Sequence, residues 1–198
     1  MRSQTAGSKT KKQWVLFISG LIAFLTGAAI LGFFGIRKIF REIHRHKLLN
    51  ENPVVEIADL HIKAPVLEGT ENEVLAEGTG HFTGTGDFGS GNYCIAGHSS
   101  TIYREYFNGL RNADKGMDIT LYDLNRKEYV YTVSQKFIVD PGETWILDDF
   151  GDDRITLVTC TDDGSRRQVI VGLLKKTGQD SGPSSSGTEL IRQDPACP

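Results

Sequence analysis

Three side chains able to do covalent chemistry stand at the ends of apolar, β-like runs in this chain. His98 follows Tyr93-Cys94-Ile95-Ala96-Gly97, Cys160 closes Ile155-Thr156-Leu157-Val158-Thr159, and Arg167 opens the run from Gln168 to Leu174. A thiolate nucleophile needs a neighbour that stabilises its charge or moves its proton. His98 lies 62 positions upstream of Cys160 and can serve only if the fold brings two strand ends together. Acyl transfer also needs a fixed donor at the developing oxyanion, which Arg167 can supply. Each residue also has a plain structural reading: a cysteine ending an apolar strand is commonly a small buried hydrophobe, a histidine after glycine a turn residue, and an Arg-Arg pair a solvated face. Their joint occurrence at three strand ends is what points to thiol chemistry.

The elements that must position these residues are short. From Val54 onward, β-like runs alternate with Gly, Asn and Asp turns: Val54 to Ile62, Asn92 to Ala96, Asp118 to Tyr122, Tyr129 to Ile138, Ile155 to Cys160 and Gln168 to Leu174. Helical stretches are expected only near Val74 to Glu77 and Tyr103 to Leu110. Closely spaced strands without a regular alternation of long helices argue for an all-β fold, either a closed barrel or a sandwich. No repeat of 20 to 50 residues is visible.

The chain ahead of this region is different in kind. Gln13 to Ile36 is a run of 24 residues without a charge, long enough as a helix to cross a hydrocarbon core of about 30 Å. A cleaved signal peptide would carry a shorter apolar region, of about 7 to 15 residues, and a small-residue cleavage site. The run instead ends at Gly32-Phe33-Phe34-Gly35 and the basic cluster Arg37, Lys38 and Arg41, which favours a retained single-pass anchor. Bases flank it on both sides, so the positive-inside rule alone leaves orientation open. The expected organisation is residues 1–12 before the membrane, an anchor over 13–36, a juxtamembrane stalk over 37–53 ended by Asn52-Pro53, a folded domain over 54–176 and a flexible tail over 177–198 that contains Cys197.

Net charge is −3, but it is split: residues 1–47 hold nine bases and one acid, while the remainder holds 13 bases and 24 acids. An acidic folded domain excludes a basic nucleic-acid binder. Three cysteines are too few for a disulfide scaffold. Cys94 is expected to be a buried core thiol sharing a strand face with Ala96 and His98.

Thr156-Leu157-Val158-Thr159-Cys160 resembles the TLxTC signature of the sortase family, cysteine transpeptidases of Gram-positive cell surfaces. Gly78-Thr79-Gly80-His81-Phe82 resembles the family's GxGH segment, and Gly91-Asn92 through Ala96-Gly97-His98 resembles its GN...AGH strand. Phe137 to Asp148 looks like the segment before the cysteine strand, and Arg167-Gln168-Val169-Ile170-Val171 like the arginine strand. The resemblance runs from about Val54 to Leu174 and implies a closed sortase-type β-barrel of about eight strands with short helices, preceded by one N-terminal transmembrane helix. It also implies Cys160 as nucleophile, His98 as general acid/base and Arg167, rather than Arg166, as the group on substrate backbone and oxyanion. Thr159 resembles a threonine that contributes to oxyanion binding. Ala96, Thr156 and Val158 fall where related enzymes line the groove for a sorting peptide, and Val139 to Gly151 matches the loop that covers it.

The implied reaction is attack on the Thr-Gly bond of an LPxTG-like sorting signal, giving a thioacyl enzyme that an amine of a cell-wall precursor resolves. The implied partners are surface proteins with C-terminal sorting signals, and the implied place is the cell membrane, with the catalytic domain outside. No cofactor is expected. Some family members bind calcium near the histidine strand, but Phe82 to Gly91 offers only Asp87, and the acids Asp148, Asp149, Asp152 and Asp153 lack the spacing of a calcium loop. The absence of a visible lid segment or second apolar span favours a class A-like enzyme, with classes D and E open. A pilin-polymerising sortase, a membrane-anchored cysteine hydrolase and a catalytically silent β-barrel interaction module are the alternatives.

Overall fold

The computed structural model describes residues 11–99 and 106–175. The expected leading segment up to residue 10, residues 103–105 of the expected Tyr103–Leu110 helix and the tail with Cys197 lie outside them; the described remainder of that expected helix, residues 106–110, is turn leading into a 3-10 turn at Leu110–Asn112.

The first element, α1 (Lys11–Glu51), is a single 41-residue helix, so anchor and stalk are one continuous rod. At 1.5 Å per residue it is about 60 Å long, twice the hydrocarbon core of a bilayer. From Gln13 on, it is long and apolar enough to cross a membrane. Of its last carbonyls, that of Leu48 accepts from the N–H and the side-chain amide of Asn52, and the next two are held by one side chain from the barrel. Arg126 donates to the carbonyls of Leu49 and Asn50, both at 2.6 Å, and of Asn52 at 3.3 Å. Higher up the helix, His44 meets Glu77 at 2.5 Å and the Arg45 guanidinium lies over the Tyr106 ring.

Eight strands follow: β1 (Val54–Ile57), β2 (Ile62–Glu68), β3 (Thr79–His81), β4 (Asn92–Ala96), β5 (Asp118–Tyr122), β6 (Glu128–Val139), β7 (Arg154–Cys160) and β8 (Arg167–Leu174). They close into a barrel in the order β1-β2-β3-β4-β7-β8-β6-β5. Two neighbouring pairs, β2–β3 and β4–β7, run parallel and the others antiparallel. A short helix, α2 (Asn72–Glu77), makes the crossover between β2 and β3, as a parallel pair requires.

The expected first strand, Val54 to Ile62, is in fact a hairpin. A 3-10 turn over Ala58–Leu60 and His61 at φ +53° reverse the chain, and Ile57 then pairs with Ile62. β2 and β3 were both missed in the sequence: Pro65 argues against a strand, and three residues are too few to show alternation. Gly80 in β3 is a packing requirement, because a Cβ there would meet the Gly69 carbonyl oxygen at 2.1 Å.

The barrel interior is filled by Val55, Ile57, Ile95, Phe107, Ile119, Tyr131, Ile155, Leu157 and Ile170, among others. A second apolar layer lies outside the barrel wall, where Val139, Val158, Val169 and Val171 are covered by Ile146, Leu147 and Phe82. β7 is therefore buried on both faces: Ile155 and Leu157 point in, while Thr156 and Val158 point towards the outer layer. That double burial explains why this strand reads as a continuous apolar run.

Candidate active site

The parallel pairing of β4 with β7 sets His98 beside Cys160. Ala96 pairs with Val158, so His98 and Cys160 each stand two residues beyond matched positions on adjacent strands. Gly97 N–H prolongs the ladder by donating to the Val158 carbonyl at 3.0 Å. The Thr159 hydroxyl donates to the Gly97 carbonyl at 2.7 Å, and Phe107 N–H donates to the His98 carbonyl at 3.2 Å. Backbone on both sides of His98 is thus tied to the barrel, while its side chain is half-exposed. Gly97 has no room for a side chain, since a Cβ would sit 2.5 Å from the Phe107 ring.

The third member is placed by the antiparallel pairing of β7 with β8, in which Cys160 and Arg167 are direct partners. Their connection is short and internally bonded. Asp163 accepts from the hydroxyls of Thr161 and Ser165 at 2.6 and 2.7 Å, which holds its carboxyl down to about 2, and Gly164 turns the chain at φ +71°. Arg111 pins this connection from outside through an ion pair with Asp162 at 2.7 Å. Arg167 makes only weak contacts to the Gly164 and Arg166 carbonyls and, among the described residues, no ion pair. Its guanidinium is therefore available for an incoming carbonyl or oxyanion.

His98, Cys160 and Arg167 line one groove of about 350 Å³. Its floor carries Ala96, Val158 and Thr159. One wall comes from the β2–β3 region through Thr70, Asn72, Leu75 and Phe82, and the other from the β6–β7 loop through Pro141, Glu143, Thr144, Ile146 and Leu147.

One expected groove residue is placed differently from the sequence reading, and another has its hydroxyl already engaged. Thr156 does not line the groove: it is buried, and its hydroxyl donates to the Asn92 side-chain carbonyl at 2.7 Å. Its pentapeptide position put it next to the site, but its side chain faces the layer beneath the β6–β7 loop. Thr159 does line the groove, yet its hydroxyl is spent on Gly97, which leaves a structural role for that group.

Asn92, which the sequence offered only as a strand boundary, holds the groove wall. Its amide nitrogen donates to the carbonyls of Ile146 and Asp148 at 2.9 and 2.8 Å, and its oxygen accepts from Thr156. A buried asparagine heading an apolar strand was the available signal. Asn92→Ala is expected to destabilise the protein by about 2 kcal/mol in urea unfolding, because three polar groups lose their partner inside the protein.

The two described cysteines are chemically unlike. Cys94 is fully buried, and burial pushes its thiol up to about 12, whereas Cys160 is half-exposed in the groove. Cys94 faces the outer layer near Ile146 rather than the barrel interior, on the same face of β4 as the groove residue Ala96, as strand alternation predicts. Brief alkylation of the native protein should label the peptide containing Cys160 and spare that containing Cys94, as read by peptide mass mapping.

The expected acid cluster is engaged with its own surroundings. Asp152 pairs with Arg154, Asp153 accepts from Gly91 N–H and Asp149 from Gly151 N–H. Among the described residues, no group of three or more His, Cys, Asp or Glu is placed to hold a metal ion.

Barrel and groove together define a class: a thiol at a strand end, flanked by an imidazole and a guanidinium on neighbouring strands of a closed β-barrel. A family model for the sortase domain matches residues 55–175. The chain belongs to the sortase family, the cysteine transpeptidases. It is 34% identical over 125 residues to a sortase A of Bacillus anthracis, covering 62% of this chain and 59% of the relative. Among solved structures, the sortase A of Listeria monocytogenes superposes with a TM-score of 0.59 at 31% identity, covering 63% of this chain and 86% of that one. Sortase C-1 of Actinomyces oris superposes at 0.58 with 28% identity, covering 63% and 74%. The chain spans between 54 and 59% of the length of three curated sortase A relatives.

Proposed function

We propose that this protein is a membrane-anchored cysteine transpeptidase that cleaves an LPxTG-like sorting signal between Thr and Gly and transfers the acyl part to an amine of a cell-wall precursor. The observation that carries the reading is the single groove in which Cys160 stands opposite Arg167 on the paired strand and level with His98 on the parallel one. Membership of the sortase family and resemblance to curated sortase A proteins support it.

The chemistry follows from the groups present. The Cys160 sulfur attacks the Thr carbonyl carbon, and the oxygen takes up the electron pair beside the Arg167 guanidinium. Collapse of the adduct breaks the C–N bond, and His98 delivers the proton that the departing Gly amine needs. An incoming amine then attacks the thioester, gives its proton to His98 and releases Cys160 as the thiolate. Ala96 and Val158 on the floor, with the two loop walls, would hold the peptide in line for attack.

The apolar part of α1 would serve as a single-pass anchor, with the barrel on the extracellular side of the cell membrane and the N-terminus in the cytoplasm. The partners would be surface proteins that end in a sorting signal. A class A-like enzyme fits the sequence relatives best, although the superposable structures include pilus-related sortase C proteins.

The test uses the full chain in detergent with LPxTG-type peptides and triglycine, followed by mass spectrometry beside Cys160→Ala. A joined peptide that disappears in the variant is the expected result. Free acid alone would favour the hydrolase, and no product with any motif would overturn the transpeptidase.

A further inference from the structure

The contacts between α1 and the barrel fix a direction as well as an attachment. Arg126 lies in the turn between β5 and β6, and β6 runs from there to Val139, which pairs with Arg167. Arg167 in turn pairs with Cys160, so Arg126 and the thiol stand at opposite ends of the barrel. The carbonyls of Leu49, Asn50 and Asn52 are therefore held at the end remote from the chemistry. Four residues back from Leu49 the helix already meets the other end. The Arg45 guanidinium lies 5.9 Å from the centroid of the Tyr106 ring, and the next residue, Phe107, donates its N–H to the His98 carbonyl. His44 meets Glu77 on α2, the short helix whose Asn72 and Leu75 line the groove. The last turns of α1 thus descend the barrel wall from the catalytic end to the remote end, and the apolar part of the same helix projects past the catalytic end.

Helix geometry sets the height. Nine residues separate Arg45 from Ile36, the end of the uncharged run, a rise of about 14 Å. Ile39, Phe40 and Ile43, between 60 and 68% exposed, carry apolar surface from Ile36 down to the first residues that touch the barrel, and Arg37, Lys38 and Arg41 lie among them. Apolar side chains interleaved with bases suit the headgroup layer, where the apolar groups reach towards the acyl chains and the cations meet lipid phosphate. That layer then comes down to the level of His44 and Glu77, beside the groove wall.

We infer that the barrel is docked against its own anchor with the end carrying His98, Cys160 and Arg167 turned towards the bilayer, so that this end is an interaction surface for lipid headgroups and the groove takes peptide at the membrane surface. Arg126 is the latch that holds this orientation. The inference rests on the anchoring role proposed above for α1 and not on the reaction.

The test uses the full chain with Cys197→Ser, reconstituted in vesicles of phosphatidylcholine and phosphatidylglycerol. A fluorophore is placed on Cys160, the half-exposed thiol, while buried Cys94 is spared. A second protein carries the fluorophore through Leu124→Cys in the β5–β6 turn, with Cys160→Ser. Lipid bearing a nitroxide on its headgroup is the quencher. The Cys160 label is expected to lose about half its fluorescence and the Leu124→Cys label less than about a tenth, since the two sit at opposite ends of a barrel held close to the bilayer. Arg126→Gly removes the latch and keeps a residue suited to φ +64°, so the turn should form and the two labels should be quenched to similar extents. Equal or reversed quenching with Arg126 in place overturns the orientation, and an undiminished contrast in Arg126→Gly overturns the latch. If Arg126→Gly does not fold, the contrast in the parent protein still decides the orientation. A protein that does not float with the vesicles overturns the anchor, and the inference with it; one that floats with the pattern reversed overturns the inference alone.

Discussion

Cys160→Ala is expected to lower cleavage of a sorting peptide by at least about a thousandfold and to abolish the thioacyl adduct, while leaving the thermal unfolding midpoint within about 2 °C of wild type. The size of the loss follows from there being no substitute in the groove. Cys94, the other described thiol, is sealed in the outer layer with its thiol pushed up to about 12, and the remaining hydroxyls near Cys160 are committed: Thr159 to the Gly97 carbonyl and Thr161 to Asp163. Stability should survive because Cys160 closes its strand with a half-exposed side chain, so deleting one sulfur opens no interior cavity. Intact-mass measurement after mixing with peptide checks the adduct, and a thermal melt checks the fold. An adduct in the variant would remove Cys160 from the mechanism.

His98→Ala is expected to cost between about a hundredfold and ten-thousandfold in kcat/KM, the range spanned by a positioned general acid/base. The loss should appear mainly in kcat, since the imidazole is asked to move protons rather than to hold the peptide. His98→Gln should not rescue it, because an amide can hydrogen-bond but cannot carry a proton between the two half-reactions. The backbone bonds that hold this position, Phe107 N–H to the His98 carbonyl and Gly97 N–H to Val158, do not involve the side chain, so the barrel should remain intact. Steady-state kinetics with peptide and amine varied separately would check the split. A variant that retains its kcat while losing only affinity would make His98 a binding residue.

Asn92, by contrast, acts on the groove through the chain around it. Its three hydrogen bonds join β4, β7 and the β6–β7 loop, so one buried amide holds the wall that carries Ile146 and Leu147.

Local pattern determined a good deal of this protein. The uncharged run from Gln13 to Ile36 demanded a long helix, the runs Asn92–Ala96 and Asp118–Tyr122 are strands with those same ends, and the residues with nucleophilic, acid/base and cationic chemistry stand at strand ends as their sequence context required. Those features are legible because they rest on periodicity and residue type within a few positions. The hairpin at Ala58–His61 and the three-residue β3 were not legible, because a left-handed histidine and a strand held by its neighbours leave no local trace. Only the tertiary structure decided that Thr156 turns away from the groove, that Thr159 spends its hydroxyl on Gly97, and that Asn92 ties β4 to the β6–β7 loop. Each of these depends on which strand lies beside which, and in which register. The parallel pairing of β4 with β7 joins residues more than 60 positions apart, a distance over which side-chain pattern carries no information about direction or partner.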